Sequence, residues 1–313
     1  MSKLTVLMPA YNAADFIREA IDSVLNQTFL DFELLIINDG STDQTKEIIE
    51  SYSDNRICLV SQENKGIAKA LNIGLQLAKG ELIARFDADD ICLPGRLEKQ
   101  FSFMEANPDC IVTGCEAEYI TENGQHLFHF KCPAYTNEEI IKIIYHTCPF
   151  IHSSVMYRKE AILKAGGYPA DAHNFEDHLL WIQIRKYGSY CNLAFPLLKV
   201  RLNPASATMD EKWRGSSFRK LKQKILHRGT VAHKEGEELL LILKKQDDEK
   251  IKRGSYYALC GKKFLLNNHE PRKARQQLAK AIQIFPLRFD NYVLYFLSWF
   301  PGSFLKWLHK MQG

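Results

Sequence analysis

Residues 82–90 read Leu-Ile-Ala-Arg-Phe-Asp-Ala-Asp-Asp, and the fold is decided on this stretch. Its first five residues, 82–86, make a short, largely apolar run of the kind a buried strand shows. Three carboxylates in four positions follow directly. Two carboxylates spaced Asp-x-Asp on a turn, Asp87 and Asp89, can both point at one hard cation, and oxygen ligands of this kind favour Mn2+ or Mg2+ over zinc. The competing use of these acids is to cap a helix starting near Leu93, where the positive helix end attracts carboxylates. One Asp is enough for that task.

Outward from this stretch the same alternation repeats. Residues 66–78 read as a helix and 57–60 as a strand. Residues 42–52 read as a helix with Ser41 or Thr42 as cap. Residues 33–37 (ELLII) are a strand ended by Asn38-Asp39-Gly40. Residues 13–27 place Phe16, Ile17, Ala20, Ile21, Val24 and Leu25 at helical spacing, and 4–8 (LTVLM) is a strand closed by Pro9. Strands and helices alternating in this way predict an α/β fold, a mainly parallel sheet with helices on both faces. Ligands of such sheets bind beyond the carboxyl ends of the strands. The residues expected there are 9–12, 38–43, 61–65 and 87–90.

Composition narrows the function classes. A chain of 313 residues accommodates one large α/β domain and a smaller appendage. A net charge of +4 is far from the strongly basic domain of a nucleic-acid binder, so no nucleic-acid partner is expected. The eight cysteines form no CxxC pair and accompany no His cluster, which fits neither a zinc site nor a disulfide scaffold. They read as thiols in a reducing compartment. The apolar stretch 4–8 is too short for a signal core, and no run approaches the ~20 apolar residues of a spanning helix. A cytoplasmic location is expected, at the inner face of the membrane if attached to it. From about 210 helix formers dominate, and residues 212–228 hold seven Lys or Arg and no acid. The expected domains are 1–210 for catalysis and 211–313 as a helical region. The aromatic segment 290–310 either lies in a membrane interface beside the basic run or packs against neighbouring helices.

Two further acidic features join Asp87 and Asp89. Asp39, in NDGSTD, is either a turn-and-cap residue or a fixed carboxylate that accepts the imide N–H of uracil, with Pro9, Tyr11 and Asn12 shaping the pocket wall at the same sheet edge. Glu176 and Asp177, in FEDHL, either open a helix or supply the base that transfer to a hydroxyl requires.

With these residues in view the chain resembles a family 2 glycosyltransferase of the A-type, Rossmann-like fold. The matching stretches are TVLMPAYNAADFIREAIDSVLNQTF, ELLIINDGSTDQT, NKGIAKALNIGLQLAKGELIARFDADD, LPGRLEKQ, and GGY followed by FEDHLLWIQIRKYG. They span about 200 residues in the family's order. The resemblance implies a nucleotide-sugar donor, a glycan or lipid-linked acceptor, and inversion at the sugar carbon. It implies that Asp39 binds the base, that Asp87 lies by the ribose and diphosphate with Ala88 between the two acids, and that Asp89 holds the metal. It further implies Asp177 as base, with Glu176 shaping the acceptor site. His152 and Arg201 resemble acceptor-side or diphosphate contacts. Asn38 stands where the family often has an acid, and Leu71 where it frequently has Arg, so Lys65 or Lys69 is the substitute expected at the diphosphate. The QxxRW signature of processive members is absent, which points to transfer of a single sugar.

A dehydrogenase would need a glycine fingerprint after the first strand; PAYNAAD stands there instead. A non-catalytic nucleotide-sugar binder on the same fold is the other alternative.

Overall fold

A computed structural model describes residues 3–204, 215–246 and 248–311. The boundary expected at 210 and residues 212–214 of the basic run lie outside them. The strands are β1 (Leu4–Ala10), β2 (Phe32–Asp39), β3 (Ile57–Gln62), β4 (Leu82–Arg85), β5 (Ile91–Cys92), β6 (Cys110–Ile120), β7 (His126–Phe130), β8 (Met156–Arg158) and β9 (Ser189–Arg201). Between and after them run α1 (Ile17–Leu25), α2 (Thr45–Glu50), α3 (Ile67–Leu77), α4 (Arg96–Ala106), α5 (Asn137–Ile143), α6 (Lys159–Lys164), α7 (Glu176–Ile184), α8 (Ser216–Arg228), α9 (His233–Gln246), α10 (Glu249–Leu266), α11 (Pro271–Ile284), α12 (Phe289–Leu297) and α13 (Gly302–Met311).

The sheet order is β3-β2-β1-β4-β8-β6-β9-β5, with β7 on β6. β1, β2, β3 and β4 are mutually parallel, as the alternation requires. Beyond β4 the sheet turns antiparallel, through β8 against β4 and β6, and β5 against β9. The register pairs Ala10 with Asn38 and Asp39 with Gln62, so the β1, β2 and β3 exits share one edge.

Both faces of β1 and β2 are covered, which is why these strands are almost wholly apolar. Val6, Met8, Leu34 and Ile36 pack with Ile17, Ala20, Ile21 and Val24 of α1 and with Leu97 and Met104 of α4. On the other face Leu7 lies against α3, where a side chain at Gly74 would sit 2.2 Å from Leu7 Cδ1. Fully burying each such aliphatic side chain stabilises the fold by roughly 1.5–3 kcal/mol.

The opposite edge is fastened by polar groups. Thr5 Oγ1 donates to Glu33 Oε1 (2.6 Å), and Gly80 N donates to Thr5 Oγ1 (2.9 Å).

The chain forms two compact units. The first comprises residues 3–117, 130–200 and 220–239; the second comprises 118–129, 240–311 and the described part of 201–219. The second has its own core, built from Tyr256, Cys260, Phe264 and Leu265 of α10 and Ala274 and Leu278 of α11. All eight cysteines are free thiols, five of them buried.

Candidate active site

The β1 and β2 exit loops are stitched together. Asn12 takes a left-handed backbone (φ 47°), which Asn tolerates better than most residues. Its side-chain oxygen accepts from Thr42 N (2.8 Å), and its own N–H donates to Ser41 Oγ (3.1 Å). Ser41 and Thr42 are thereby engaged, and α2 starts later than predicted. Asp43 takes over at the helix start, accepting from Thr45 N (3.0 Å) and from Ala14 N (3.1 Å). Pro9 is partly buried near the end of β1, and Tyr11 is exposed just beyond it.

Asp39 is the last residue of β2 and is only 4% exposed. Its Oδ1 accepts from Gln62 Nε2 (2.6 Å) and Lys65 N (2.9 Å), and its Oδ2 from Gly66 N (2.8 Å). A carboxylate has about four acceptor positions, so three are spent on the loop entering α3. Lys65 contributes its backbone to this clamp, and its side chain is exposed.

At the end of β4 the acids do not cap a helix. α4 begins at Arg96, and its cap residue Gly95 makes no side-chain cap bond. Asp87 and Asp89 are partly exposed, while Ala88 and Asp90 are buried. Asp87 is ion-paired with the guanidinium of Arg85, whose side chain is 2% exposed. Burial alone would lower the Arg85 pKa; Asp87 more than offsets this, and the net shift is upward. Arg96 Nη2 donates to the Arg85 carbonyl (2.9 Å), and Gln100 accepts from Arg96 Nε (3.0 Å). Arg96 and Gln100 of the LPGRLEKQ motif are thus a buried brace behind Arg85.

Glu176 and Asp177 open α7. Asp177 Oδ1 accepts from His178 N (2.7 Å), and its Oδ2 faces Cys148 Sγ at 3.7 Å. Glu176 is buried, and its pKa is raised to about 7, chiefly by loss of water and then by the negative charge of Asp177; Arg85 and Asp87 also act on it. Two acids in different surroundings are the usual means of separating proton-holding from proton-accepting roles. The ordinary value for Glu176 is 4.5. The folded chain therefore binds the extra proton between about pH 4.5 and 7, and stability falls as pH rises through 7. Glu176→Gln should remove that slope and raise the melting temperature above pH 7. A thermal unfolding series in metal-free buffer with the same slope in both proteins would refute the assignment.

His152 Nε2 lies 3.1 Å from the Tyr168 hydroxyl. Burial and then the positive charge of Arg85 hold its pKa well below the usual value, so the ring is neutral. Tyr168 is placed by Asn72, which bonds both its N–H (2.7 Å) and its carbonyl (2.8 Å). Gly167 is required beside it: its φ is +87°, and an added Cβ would sit 2.4 Å from Asn72 Oδ1.

Ten of the predicted positions thus fall in one compact unit: Pro9, Tyr11, Asn12, Asp39, Lys65, Asp87, Asp89, His152, Glu176 and Asp177, with Ala88 between two of them. Arg201 is the exception. It belongs to the second unit, is 5% exposed, and donates to the carbonyl of Glu122 (2.8 Å). Arg85, Asn72 and Tyr168 were not foreseen. A lone Arg inside an apolar strand, two residues before an acid and so on the same face, is the signal that points to Arg85.

The sequence profile described as glycosyl transferase family 2 matches residues 5–166. The chain belongs to glycosyl transferase family 2. This glycosyltransferase is 36% identical over 187 residues to the O-antigen biosynthesis glycosyltransferase WbnJ of Escherichia coli, covering 59% of this chain and 72% of that one. It is 32% identical over 220 residues to the amylovoran biosynthesis glycosyltransferase AmsE of Erwinia amylovora, covering 68% and 80%. An uncharacterized glycosyltransferase of Rickettsia bellii is 34% identical over 208 residues, and the match spans 66% of this chain but 30% of that protein's length. Among solved structures, Staphylococcus aureus TarS 1–349 in complex with UDP-GlcNAc superposes with a TM-score of 0.56 at 18% identity, covering 90% of this chain and 89% of that one. The mannosyltransferase PcManGT of Pyrobaculum calidifontis, in complex with GDP-Man and Mn2+, gives 0.52 at 18%, covering 95% and 84%. The family 2 chain has the A-type glycosyltransferase fold, a sheet flanked by helices on both faces with a helical C-terminal region.

Proposed function

We propose that this glycosyltransferase moves a single sugar from a UDP-sugar to a hydroxyl of a glycan or lipid-linked acceptor, with inversion and with Mn2+ or Mg2+, in the synthesis of cell-surface polysaccharide or lipopolysaccharide. The observation that carries the reading is the convergence of three acidic features in one unit: Asp39 at the β2 exit, Asp87 and Asp89 at the β4 exit, and Glu176 with Asp177 at the start of α7. The O-antigen and amylovoran biosynthesis of WbnJ and AmsE support the acceptor class, and the UDP-GlcNAc held by TarS supports the donor.

Asp87 and Asp89 offer hard oxygens on a partly exposed turn, which fits a divalent cation. Among the described residues no group of three or more His, Cys, Asp or Glu is poised for an ion, so an ion here would draw its other ligands from diphosphate and water. When bound, such an ion neutralises charge on the departing nucleoside diphosphate. Asp39 takes the base with its remaining acceptor position. Arg85 holds Asp87 in place from beneath. Glu176 keeps its proton to about pH 7 and shapes the acceptor side, so proton removal from the attacking hydroxyl falls to Asp177. One base and one in-line attack give inversion. In this reading the first unit, which holds the acidic features, carries the transfer, and the second unit supplies accessory contacts.

Thermal unfolding with a panel of nucleotide sugars, with and without manganese, tests this reading. A bound donor stabilises the fold by about 2.7 kcal/mol at a hundredfold excess over Kd. A manganese-dependent shift with one UDP-sugar is expected; no shift with any nucleotide sugar, in folded protein, refutes it.

A further inference from the structure

One face of α12 is apolar, aromatic and exposed. Asn291 and Ser298 are buried at 1% and 0%, and Leu294 is half-buried between them. They form the inner face of the helix. On the outer face Phe289 is 80% exposed, Val293 60% and Phe296 64%; Trp299, just after the helix, is 61% exposed and Leu287, just before it, 86%. These positions follow helical spacing, so the side chains form one stripe. The stripe continues as a series of ring contacts, Phe296 edge-to-face with Phe300 (5.7 Å) and Phe300 stacked on Phe304 (4.9 Å between ring centroids). Each aromatic side chain carries roughly 150–250 Å² of surface. The patch therefore exceeds the few hundred Å² that soluble monomers commonly expose, and such patches mark interaction sites.

The surrounding charge says what covers it. Residues 271–311 contain seven Lys or Arg and a single acid, Asp290. That acid is ion-paired with Arg288. Arg275 lies over the Trp299 ring, its guanidinium carbon 3.7 Å from the centroid, so a cation borders the apolar stripe. Trp and Tyr sit at the headgroup level of bilayers, and helices with an aromatic face and a basic surround lie in the plane of the interface. No helix among the described residues is long and apolar enough to cross a membrane.

We infer that the outer face of α12 is a docking surface for an anionic bilayer. Phe289, Val293, Phe296 and Trp299 enter the headgroup–acyl boundary, and the surrounding cations pair with anionic headgroups. This surface belongs to the second unit, and the inference does not rest on the sugar-transfer reading.

The test is vesicle co-sedimentation of the full chain. Vesicles of phosphatidylcholine alone are compared with vesicles containing phosphatidylglycerol, at low and high salt. Val293→Ser/Phe296→Ser/Trp299→Ser is the variant, and circular dichroism confirms that it folds. The exposed positions leave the inner face of α12 intact. Expected is binding to anionic vesicles stronger on the order of tenfold or more than to neutral ones, weakened by salt and lost in the variant. Absence of binding to anionic vesicles overturns the inference. So does binding that the variant retains. So does concentration-dependent dimerisation, removed by the same variant, in a chain that ignores lipid.

Discussion

Asp177→Asn lowers the transfer rate by roughly 10²–10⁴-fold, the contribution of a positioned general base. The substitution keeps the shape of the side chain and an oxygen for the N–H of His178, which donates to Asp177 at 2.7 Å. Folding is therefore untouched, and the loss is chemical. The neighbouring Glu176 cannot replace it, because burial and the charge of Asp177 raise its pKa to about 7 and leave it largely protonated below that pH. Glu176→Gln should accordingly cost less activity than Asp177→Asn at pH 6. The measurement is kcat and KM for a UDP-sugar and a glycan acceptor. The base is assigned to the wrong residue if Asp177→Asn turns over within a few-fold of the native chain, or if Glu176→Gln is the more damaging change.

Asp89→Ala removes the manganese response and lowers transfer by about 10²–10³-fold, the size of effect seen when one group stabilising developing charge is deleted. Asp89 is partly exposed, and the manganese response of the variant is read against its own donor-free melting temperature. Asp87→Ala behaves differently. It strips the guanidinium of Arg85, 2% exposed, of its partner, and an unsatisfied buried group of this kind costs about 1–3 kcal/mol or more. The pair of variants separates metal binding from scaffold. Manganese-dependent donor stabilisation that persists in Asp89→Ala would remove that residue from the metal site.

Much of this architecture was legible in the residues. β1, β2, β3 and β4 announce themselves because each is a short apolar run ended by turn residues, and each sits before a helix whose apolar positions recur at helical spacing. The exits of those strands hold Asp39, Asp87 and Asp89, so the rule for open sheets locates the acids before any coordinates exist. The antiparallel half was not legible. β8 has three residues and β5 two, too few for any period to register, and both pair with strands distant in sequence. Arg85 and Tyr168 were missed for a related reason. Their roles depend on partners brought by the fold: Asn72 reaches Tyr168 across 96 residues. Arg201 illustrates the converse dependence on partners. Its place after a strand resembled a diphosphate contact, but its guanidinium serves the carbonyl of Glu122 in the other unit.

Asp39 has a further consequence. Its carboxylate already gathers the amides of Lys65 and Gly66 and the side chain of Gln62. These bonds fasten the loop that leads into α3 to the end of β2. Under the proposed function a nucleotide at this edge meets a wall held by the protein's own hydrogen bonds, and little ordering of that loop remains to oppose binding. Affinity gained in this way is independent of the transferred sugar. Such an enzyme can change its sugar by altering other loops while the grip on the nucleotide stays the same.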